Sequence, residues 1–390
     1  MGITEIIFFT LILAGLYPFI IYPLILSLIR KIFKNRINIG KDFEPNITII
    51  TPVHNEERNI IPLVESIINS DYPTTKIQYI FGSDGSTDKT NELLEEVSKK
   101  HNFIEYYLFP KKGKNYIINQ LVPKAKHEII VFLDADIRIT KETLHKLISY
   151  FNDEKVGGVL SNIIVSHRGK TEYTFEEKST QKFFGRIRKW ESDIYSTVNN
   201  NGPCYAIRKS FFVPIPNDKV CDDFFILLKI IGKGKRMIMA EDALVFDVRE
   251  RVEVWKEYYR KMRFSAGGIS TLFSVPEILL KPLILFFILS HKLLRWFSPF
   301  FILCALIFLL FTKLHLLKLT ILILIIFTIF IFTIGLLNLY LSGKCIKILR
   351  IPMYVFFSIA GTIAGIFRAL LGKQNSSWTL EGLVSQNEKT

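Results

Sequence analysis

The sequence predicts an α/β domain with a mostly parallel sheet, joined to α-helical transmembrane segments. Three observations carry this. The 390 residues are 49% hydrophobic with a mean hydropathy of +0.28, yet 22% are charged. That mixture is too apolar for an ordinary soluble protein and too charged for a bare membrane bundle. The long charge-free runs fall at the two ends of the chain, and the middle alternates β-branched runs with helical periodicity.

The charge-free runs define the membrane part. Ile6 to Ile29 is 24 residues without a charge, Leu319 to Gly343 is 25, and Trp296 to Thr312 and Ile351 to Phe367 are 17 each. A spanning helix needs about 20 mostly apolar residues and no fewer than about 17. The first run lacks a basic start and a small-residue cleavage site, so it reads as an anchor and not a signal peptide. Pro276 to Arg295 is apolar but broken by Glu277, Lys281, His291, Lys292 and Arg295, which suggests an amphipathic helix at the interface. The expected organisation is an anchor over 1–30, a cytosolic domain over 31–275, the interfacial helix over 276–295, further spans over 296–371 and a tail over 372–390. Arg30, Lys31, Lys34, Arg36 and Lys41 follow the first run and Glu5 precedes it, which puts the domain on the cytoplasmic side of a multi-pass cell-membrane protein; Lys344, Lys347 and Arg350 fit an inner loop. Gly361 and Gly365 have the spacing for close helix packing, though two glycines in an apolar helix have no need of a role.

The net charge of +14 suits lipid head groups and a polyanionic small ligand; it clusters at membrane flanks, which disfavours nucleic acid. Lys182, Arg186, Arg188 and Lys189, interleaved with Phe183, Phe184, Ile187 and Trp190, fit a basic helix near a membrane surface or an ordinary domain helix with one wet face. Four widely spaced cysteines without a CxxC suggest neither a disulfide framework nor a zinc site.

Within the domain, residues 46–51, 77–81, 104–108 and 128–133 read as strands, and a charged helix is expected over 88–100. In open parallel sheets ligands bind beyond the carboxyl ends of the strands. The four strands are followed by Pro52-Val-His-Asn-Glu56, Asp84-Gly-Ser-Thr-Asp88, Lys111-Lys-Gly-Lys-Asn115 and Asp134-Ala-Asp136. Each segment has an ordinary reading as a turn, a cap or a solvated loop. Together they pair carboxylates with ammonium groups on one sheet edge, a pattern suited to a metal-bound diphosphate. Mg²⁺ is commonly held by one or two carboxylates plus phosphate oxygens, and Asp134 and Asp136 can aim at one ion. Glu56 and Asp84 can select a nucleoside, and Lys112 and Lys114 can offset phosphate charge. No GxxxxGK[ST] sequence is present, which argues against a P-loop nucleotidase.

Pro52-x-x-Asn-Glu56, Asp84-Gly-Ser-Thr-Asp88, Gly113-Lys-(x)4-Asn119 and Asp134-Ala-Asp136 resemble, in order and spacing, the family 2 glycosyltransferases. Asn201-Gly-Pro-Cys-Tyr-Ala-Ile-Arg208 is similar to the acceptor-side segment of that family, Asp222-Asp223-Phe224 to its acidic catalytic motif, and Arg260-Lys-Met-Arg263-Phe264 stands where membrane members carry Gln-x-x-Arg-Trp. With the anchor and later spans, nearly the whole chain looks like the membrane-bound polysaccharide and cell-envelope branch, whose catalytic domains are cellulose- and hyaluronan-synthase-like. The resemblance implies a GT-A-type, Rossmann-like domain and an inverting transfer from a nucleotide sugar, expected to be UDP-linked, to a saccharide or lipid-linked acceptor. It implies that Pro52, Glu56 and Asp84 line the nucleoside pocket, with Asp84 on the uracil and Lys114 assisting. Asp134 and Asp136 would be the DxD motif holding ribose, diphosphate and a divalent metal, Mg²⁺ or Mn²⁺. Asp223 would be the general base supported by Asp222, Arg263 would contact the diphosphate, and Gly202 and Phe264 would lie on the acceptor side. Arg260 and Phe264 depart from Gln and Trp in the segment thought to grip a growing chain, which weighs against a processive polymerase. A catalytically silent member that scaffolds a polysaccharide assembly complex is the alternative, and the intact acids at 84, 134, 136 and 223 argue against it.

Overall fold

The computed structural model describes residues 2–33, 35–165, 175–200, 202–248, 256–342 and 350–372. Lys34, Asn201, Lys344, Lys347 and residues 373–390 lie outside these segments. The N-terminal apolar run does not form one straight rod. It folds as α1 (Ile3–Leu16) and α2 (Ile21–Ile32), bent by 60° at the break. Pro18 and Pro23 explain this: neither can donate a backbone hydrogen bond, and a proline is tolerated in the first turn of a new helix but not inside a continuing one.

Next come β1 (Ile47–Val53), α3 (Ile60–Ile68), β2 (Ile77–Asp84), α4 (Thr90–Lys100), β3 (Ile104–Phe109), α5 (Lys114–Leu121), β4 (Ile129–Leu133), β5 (Ile137–Ile139) and α6 (Thr143–Ile148). The domain continues through β6 (Val156–Val165), α7 (Phe175–Ile194), β7 (Cys204–Arg208), α8 (Asp222–Gly232), β8 (Arg236–Asp247) and α9 (Lys256–Phe273). Among the described residues the strands form one eight-stranded sheet in the order β3-β2-β1-β4-β7-β6-β8-β5. The β3-β2-β1-β4 half is parallel, β6 and β8 also pair in parallel, and β7 and β5 run antiparallel to their neighbours. The sheet is thus mixed and mostly parallel.

Its central strands are buried on both faces, as parallel strands between helices must be. Ile49, Phe81 and Val131 pack with Leu63 and Ile67 of α3, Leu94 of α4 and Leu147 of α6. Ile50, Ile80 and Ile130 belong to the other core, with Ile117 of α5, Ile187 of α7 and Phe225 of α8. Tyr22 and Leu26 of α2 join that second core, so the N-terminal helices are docked on the α/β domain.

The C-terminal part holds α10 (Pro282–Ile288), a π-helical turn over Leu289–Leu293, α11 (Leu294–Phe311), α12 (His315–Ser342) and α13 (Arg350–Leu370). Among the described residues three helices are long and apolar enough to cross a membrane, Pro282–Phe311, His315–Asn338 and Pro352–Leu370, or four if the bent α1–α2 pair is one span. Residues 282–295, expected to be an interfacial helix, are contiguous with 296–311 in one candidate stretch, with the π-helical turn between α10 and α11. His291 and Lys292 are buried against the α/β domain and need not reach the head groups. Gly361 and Gly365 do mark a close approach, but to α9 and not to another span: an added Cβ would overlap the carbonyl oxygens of Tyr258 and Met262.

Candidate active site

The carboxyl ends of β1 and β4 and the N-termini of α5 and α8 surround a cavity of about 350 Å³. Pro52, Glu56, Lys112, Lys114, Asp134, Asp136, Asp222 and Arg263, all expected from the sequence, line it. Asp84, Gly202, Asp223 and Phe264 do not.

Two of the motifs are stitched to each other. Asn55 sits at φ 56° and accepts from the Thr87 amide at 2.8 Å, while its own amide reaches Ser86 Oγ. The Glu56 amide donates to Thr90 Oγ1 at 2.7 Å, the Glu57 amide to Asp88 Oδ2, and Glu57 returns the contact to the Lys89 amide. Asp88 is therefore a structural clamp. Asp84, 1% exposed, accepts from the backbone amides of Lys112 at 2.6 Å and Gly113 at 2.9 Å. It fixes the turn that leads into α5, whose Gly113 needs φ 93°. Asn119 holds the opposite wall by a two-way bond with the Ile215 backbone, and Asn115 donates to the Pro216 and Lys219 carbonyls.

Charge is concentrated at one point. Lys114 Nζ lies 2.8 Å from Asp134 Oδ1 and 3.6 Å from Asp222 Oδ2. Burial alone would lower the Lys114 pKa, but Asp134, Asp222 and Asp223 outweigh it and hold the ammonium well above its ordinary value. Burial pushes Asp134 up to about 6, with Asp136 adding to the rise and Lys114 opposing it. Glu56 is also raised, first by burial and then by Asp136 and Asp134.

Asp222 and Asp223 open α8, where the helix dipole favours carboxylates. Asp223 is half-buried beside the cavity. Burial and then Asp222 push it up to about 6 against Lys292 and Lys114. Gly202, at φ 86°, is its neighbour: an added Cβ would stand 3.3 Å from Asp223 Oδ2. Phe264 is 45% exposed under the Arg263 guanidinium, whose carbon is 5.7 Å from the ring centroid.

The sequence did not single out Asn217, Lys219 and Val220, which line the cavity from the loop before α8. Lys219 is 9% exposed, with Nζ 3.2 Å from Ser270 Oγ and 3.2 Å from Asp218 Oδ2. No motif marks that loop; its one signal was adjacency to the acidic pair.

The donor set fits a hard divalent ion. Asp134 and Asp136 face the same space, and among the described residues no three His, Cys, Asp or Glu side chains form a complete protein cage. That suits an ion that completes its shell with phosphate oxygens and water. Arg263 lines the same cavity and carries a buried Nε without a hydrogen-bond partner.

Comparison with known proteins agrees with this geometry. Residues 48–213 match the glycosyl transferase family 2 profile. The probable glycosyltransferase YdaM of Bacillus subtilis is 26% identical over 260 residues, 64% of this chain and 59% of that protein. The poly-beta-1,6-N-acetyl-D-glucosamine synthase of Staphylococcus aureus is 22% identical over 250 residues, 63% of this chain and 60% of its own length. This chain thus spans somewhat under two thirds of both relatives. A mannosyltransferase from Pyrobaculum calidifontis, solved in complex with GDP-Man and Mn²⁺, superposes over 95% of this chain and 100% of its own with a TM-score of 0.71 at 20% identity, which establishes a shared GT-A-like fold. The matched segment, residues 48–213, and the order of its motifs are thus those of glycosyltransferase family 2.

Proposed function

We propose that the chain is a membrane-bound, inverting glycosyltransferase that moves a sugar from a nucleotide-sugar donor, UDP-linked by its motif pattern, to a saccharide or lipid-linked acceptor in cell-envelope or exopolysaccharide synthesis. The α/β domain faces the cytoplasm in this reading. One observation carries it: Glu56, Asp134, Asp136, Asp222, Lys112, Lys114 and Arg263 share one cavity at the carboxyl edge of the parallel strands.

The residues divide the work. Pro52 and Glu56 border the nucleoside end, and Asp84 acts on it through the Lys112–Gly113 turn it fixes. Asp134 and Asp136 would hold the divalent ion, which supplies charge neutralisation for the departing diphosphate. Lys112, Lys114 and Arg263 add fixed positive charge there, so the developing charge is met without reorganisation. Asp223 takes the proton from the acceptor hydroxyl as that oxygen bonds to the anomeric carbon and the carbon–oxygen bond to the diphosphate breaks. General-base assistance of this kind contributes about 10²–10⁴ in rate. The poly-beta-1,6-N-acetyl-D-glucosamine synthase among its relatives favours an envelope polysaccharide setting.

The test is a donor screen on the purified chain in detergent with Mn²⁺ or Mg²⁺, reading released nucleoside diphosphate, alongside Asp223→Asn. Metal-dependent release by the wild type and its loss in the variant are expected. Inertness of the wild type toward every common nucleotide sugar would overturn the reading.

A further inference from the structure

Three cations lie between the α/β domain and the first long membrane helix without an anion of their own. Arg188 comes from α7, Lys292 from the π turn and Arg295 from the first turn of α11. Arg188 and Lys292 are 7% and 6% exposed, and Arg295 is half-buried. Among the described residues none of the three makes a hydrogen bond or an ion pair, and the Arg188 Nε is buried without a partner. Their cover is aromatic. Lys292 Nζ stands 3.5 Å from the Phe224 ring centroid, and the Arg295 guanidinium carbon 4.6 Å from that of Phe184.

The carboxylate that faces both arginines is Glu191, and its oxygens are already taken. Tyr22 donates to it at 2.6 Å, Thr197 at 3.0 Å and the Val198 amide at 3.2 Å, and His291 Nδ1 lies 2.7 Å away. His291 Nε2 is a second buried nitrogen without a partner. Burial, with Arg295 behind it, pushes the Arg188 guanidinium down to about 10 against the pull of Glu191. Lys261 of α9 also faces Arg295. Buried charges are normally paired, and a buried donor left unmatched calls for an explanation.

The position of the cluster supplies one. At one end Lys292 covers Phe224, the residue after the proposed base Asp223, and it is one of the two cations that Asp223 feels. At the other end Arg295 lies half-buried within the stretch Pro282–Phe311, immediately before the charge-free run that begins at Trp296. We propose that Arg188, Lys292 and Arg295 form a subsite for the phosphate of a lipid-linked acceptor, whose hydrocarbon chain follows the membrane helix while its sugar is presented to Asp223. The proposal rests on the transferase reading and specifies its acceptor class. Guanidinium forks match phosphate oxygens, and such charge-assisted bonds are strong where water is scarce.

The full chain in detergent is titrated with geranylgeranyl phosphate, geranylgeraniol and inorganic phosphate, reading the melting temperature and a binding isotherm. A saturable rise with the lipid phosphate and none with the alcohol are expected. Inorganic phosphate should bind more weakly, by about tenfold or more. Arg188→Gln with Arg295→Gln should weaken lipid-phosphate binding by about tenfold or more, and the paired Lys substitutions by only about threefold. Without ligand the Gln pair should melt no lower than wild type, because it loses repulsion and not an ion pair. Should the Gln pair fail to fold, Arg295→Gln alone, at a half-buried position, makes the same comparison. Equal binding by Gln and Lys variants, or by alcohol and phosphate, overturns the subsite; equal binding of lipid phosphate and inorganic phosphate overturns its lipid source. UDP with Mn²⁺ is titrated separately on the wild type. Loss of that response counts against the donor site, whereas loss of the lipid response alone counts only against this subsite.

Discussion

Lys114 and Asp134, which both line the cavity, form an ion pair of 2.8 Å. The ammonium bridges two motifs that are 20 residues apart, and it also faces Asp222 of the proposed base pair. It therefore sets the charge of both halves of the site.

Replacing Lys114 with Gln should accordingly cost more than one contact. Asp134, already raised to about 6 by burial, would rise further without its opposing charge, and the acids at 222 and 223 would lose their nearest shared cation. A charge-assisted bond lost in a partly buried setting predicts a fall in kcat/KM of about ten- to a hundredfold. The check is nucleoside diphosphate release as a function of donor and metal concentration, with the metal requirement expected to move to higher pH.

Asp223 predicts a pH profile. Burial and Asp222 raise its pKa to about 6, so below that pH the group carries a proton and cannot accept one from the acceptor. Activity should climb as pH rises through about 6 and then level off, and Asp223→Asn should lower kcat by about 10²–10⁴ without that limb. Stability should respond in the opposite sense. A carboxylate whose folded pKa is raised favours the fold while it is protonated, and that contribution fades as pH rises through the folded value. At pH 7 the Asn variant should therefore melt no lower than wild type. An Asn variant that loses stability but keeps its rate would remove Asp223 from the base role.

Much of this site was legible because strand ends carry its chemistry. The four runs at 46–51, 77–81, 104–108 and 128–133 became β1 to β4 within a few residues, and the polar segments after them met at one edge. What the sequence could not display was how the polar atoms are spent. Asn55 and Asp88 stand in the motifs without a role legible from sequence, and Asp84 was expected in the nucleoside pocket; the side chains of all three accept backbone amides of neighbouring loops. Lys219 stayed hidden because its loop has no periodicity and is tied to the cavity wall by bonds from Asn115 and Asn119, far away in sequence. His291, Lys292 and Arg295 read as interfacial because a charge in an apolar run ordinarily seeks water. The Glu191 partner of His291 and the Phe224 and Phe184 rings beside Lys292 and Arg295 lie far away in sequence, beyond any local signal.

Asp84 gives a third prediction. Its carboxylate accepts amides from Lys112 and Gly113, so Asp84→Asn would turn part of an acceptor toward donors. A buried polar group left mismatched costs about 1–3 kcal/mol. The turn before α5 should loosen, which would displace Lys112 and Lys114 together. The expected result is a raised donor KM with a smaller change in kcat, measured alongside the melting temperature. A kcat loss as deep as that of Asp223→Asn with donor KM unchanged would mean that Asp84 acts in the chemical step instead.

The contact between α13 and α9 gives the last. Gly361 lets the Tyr258 carbonyl approach the helix axis, and Gly365 does the same for Met262, while Ser265 Oγ donates to the Thr362 carbonyl at 3.2 Å. Because the nearest obstacles at Gly361 are backbone atoms of α9, an added side chain there cannot be accommodated by a rotamer change. Arg263 stands between Met262 and Ser265 on that helix and lines the donor cavity, so a shift of α9 moves it. Gly361→Ala and Gly361→Val should destabilise the protein in that order, by about 1–3 kcal/mol or more, and raise donor KM in parallel. Leu370→Ala, at a position 70% exposed on the same helix, should change neither in detergent. Full donor affinity in a Gly361→Val protein that remains folded would show that the membrane helix is merely attached to α9 and does not hold Arg263 in place.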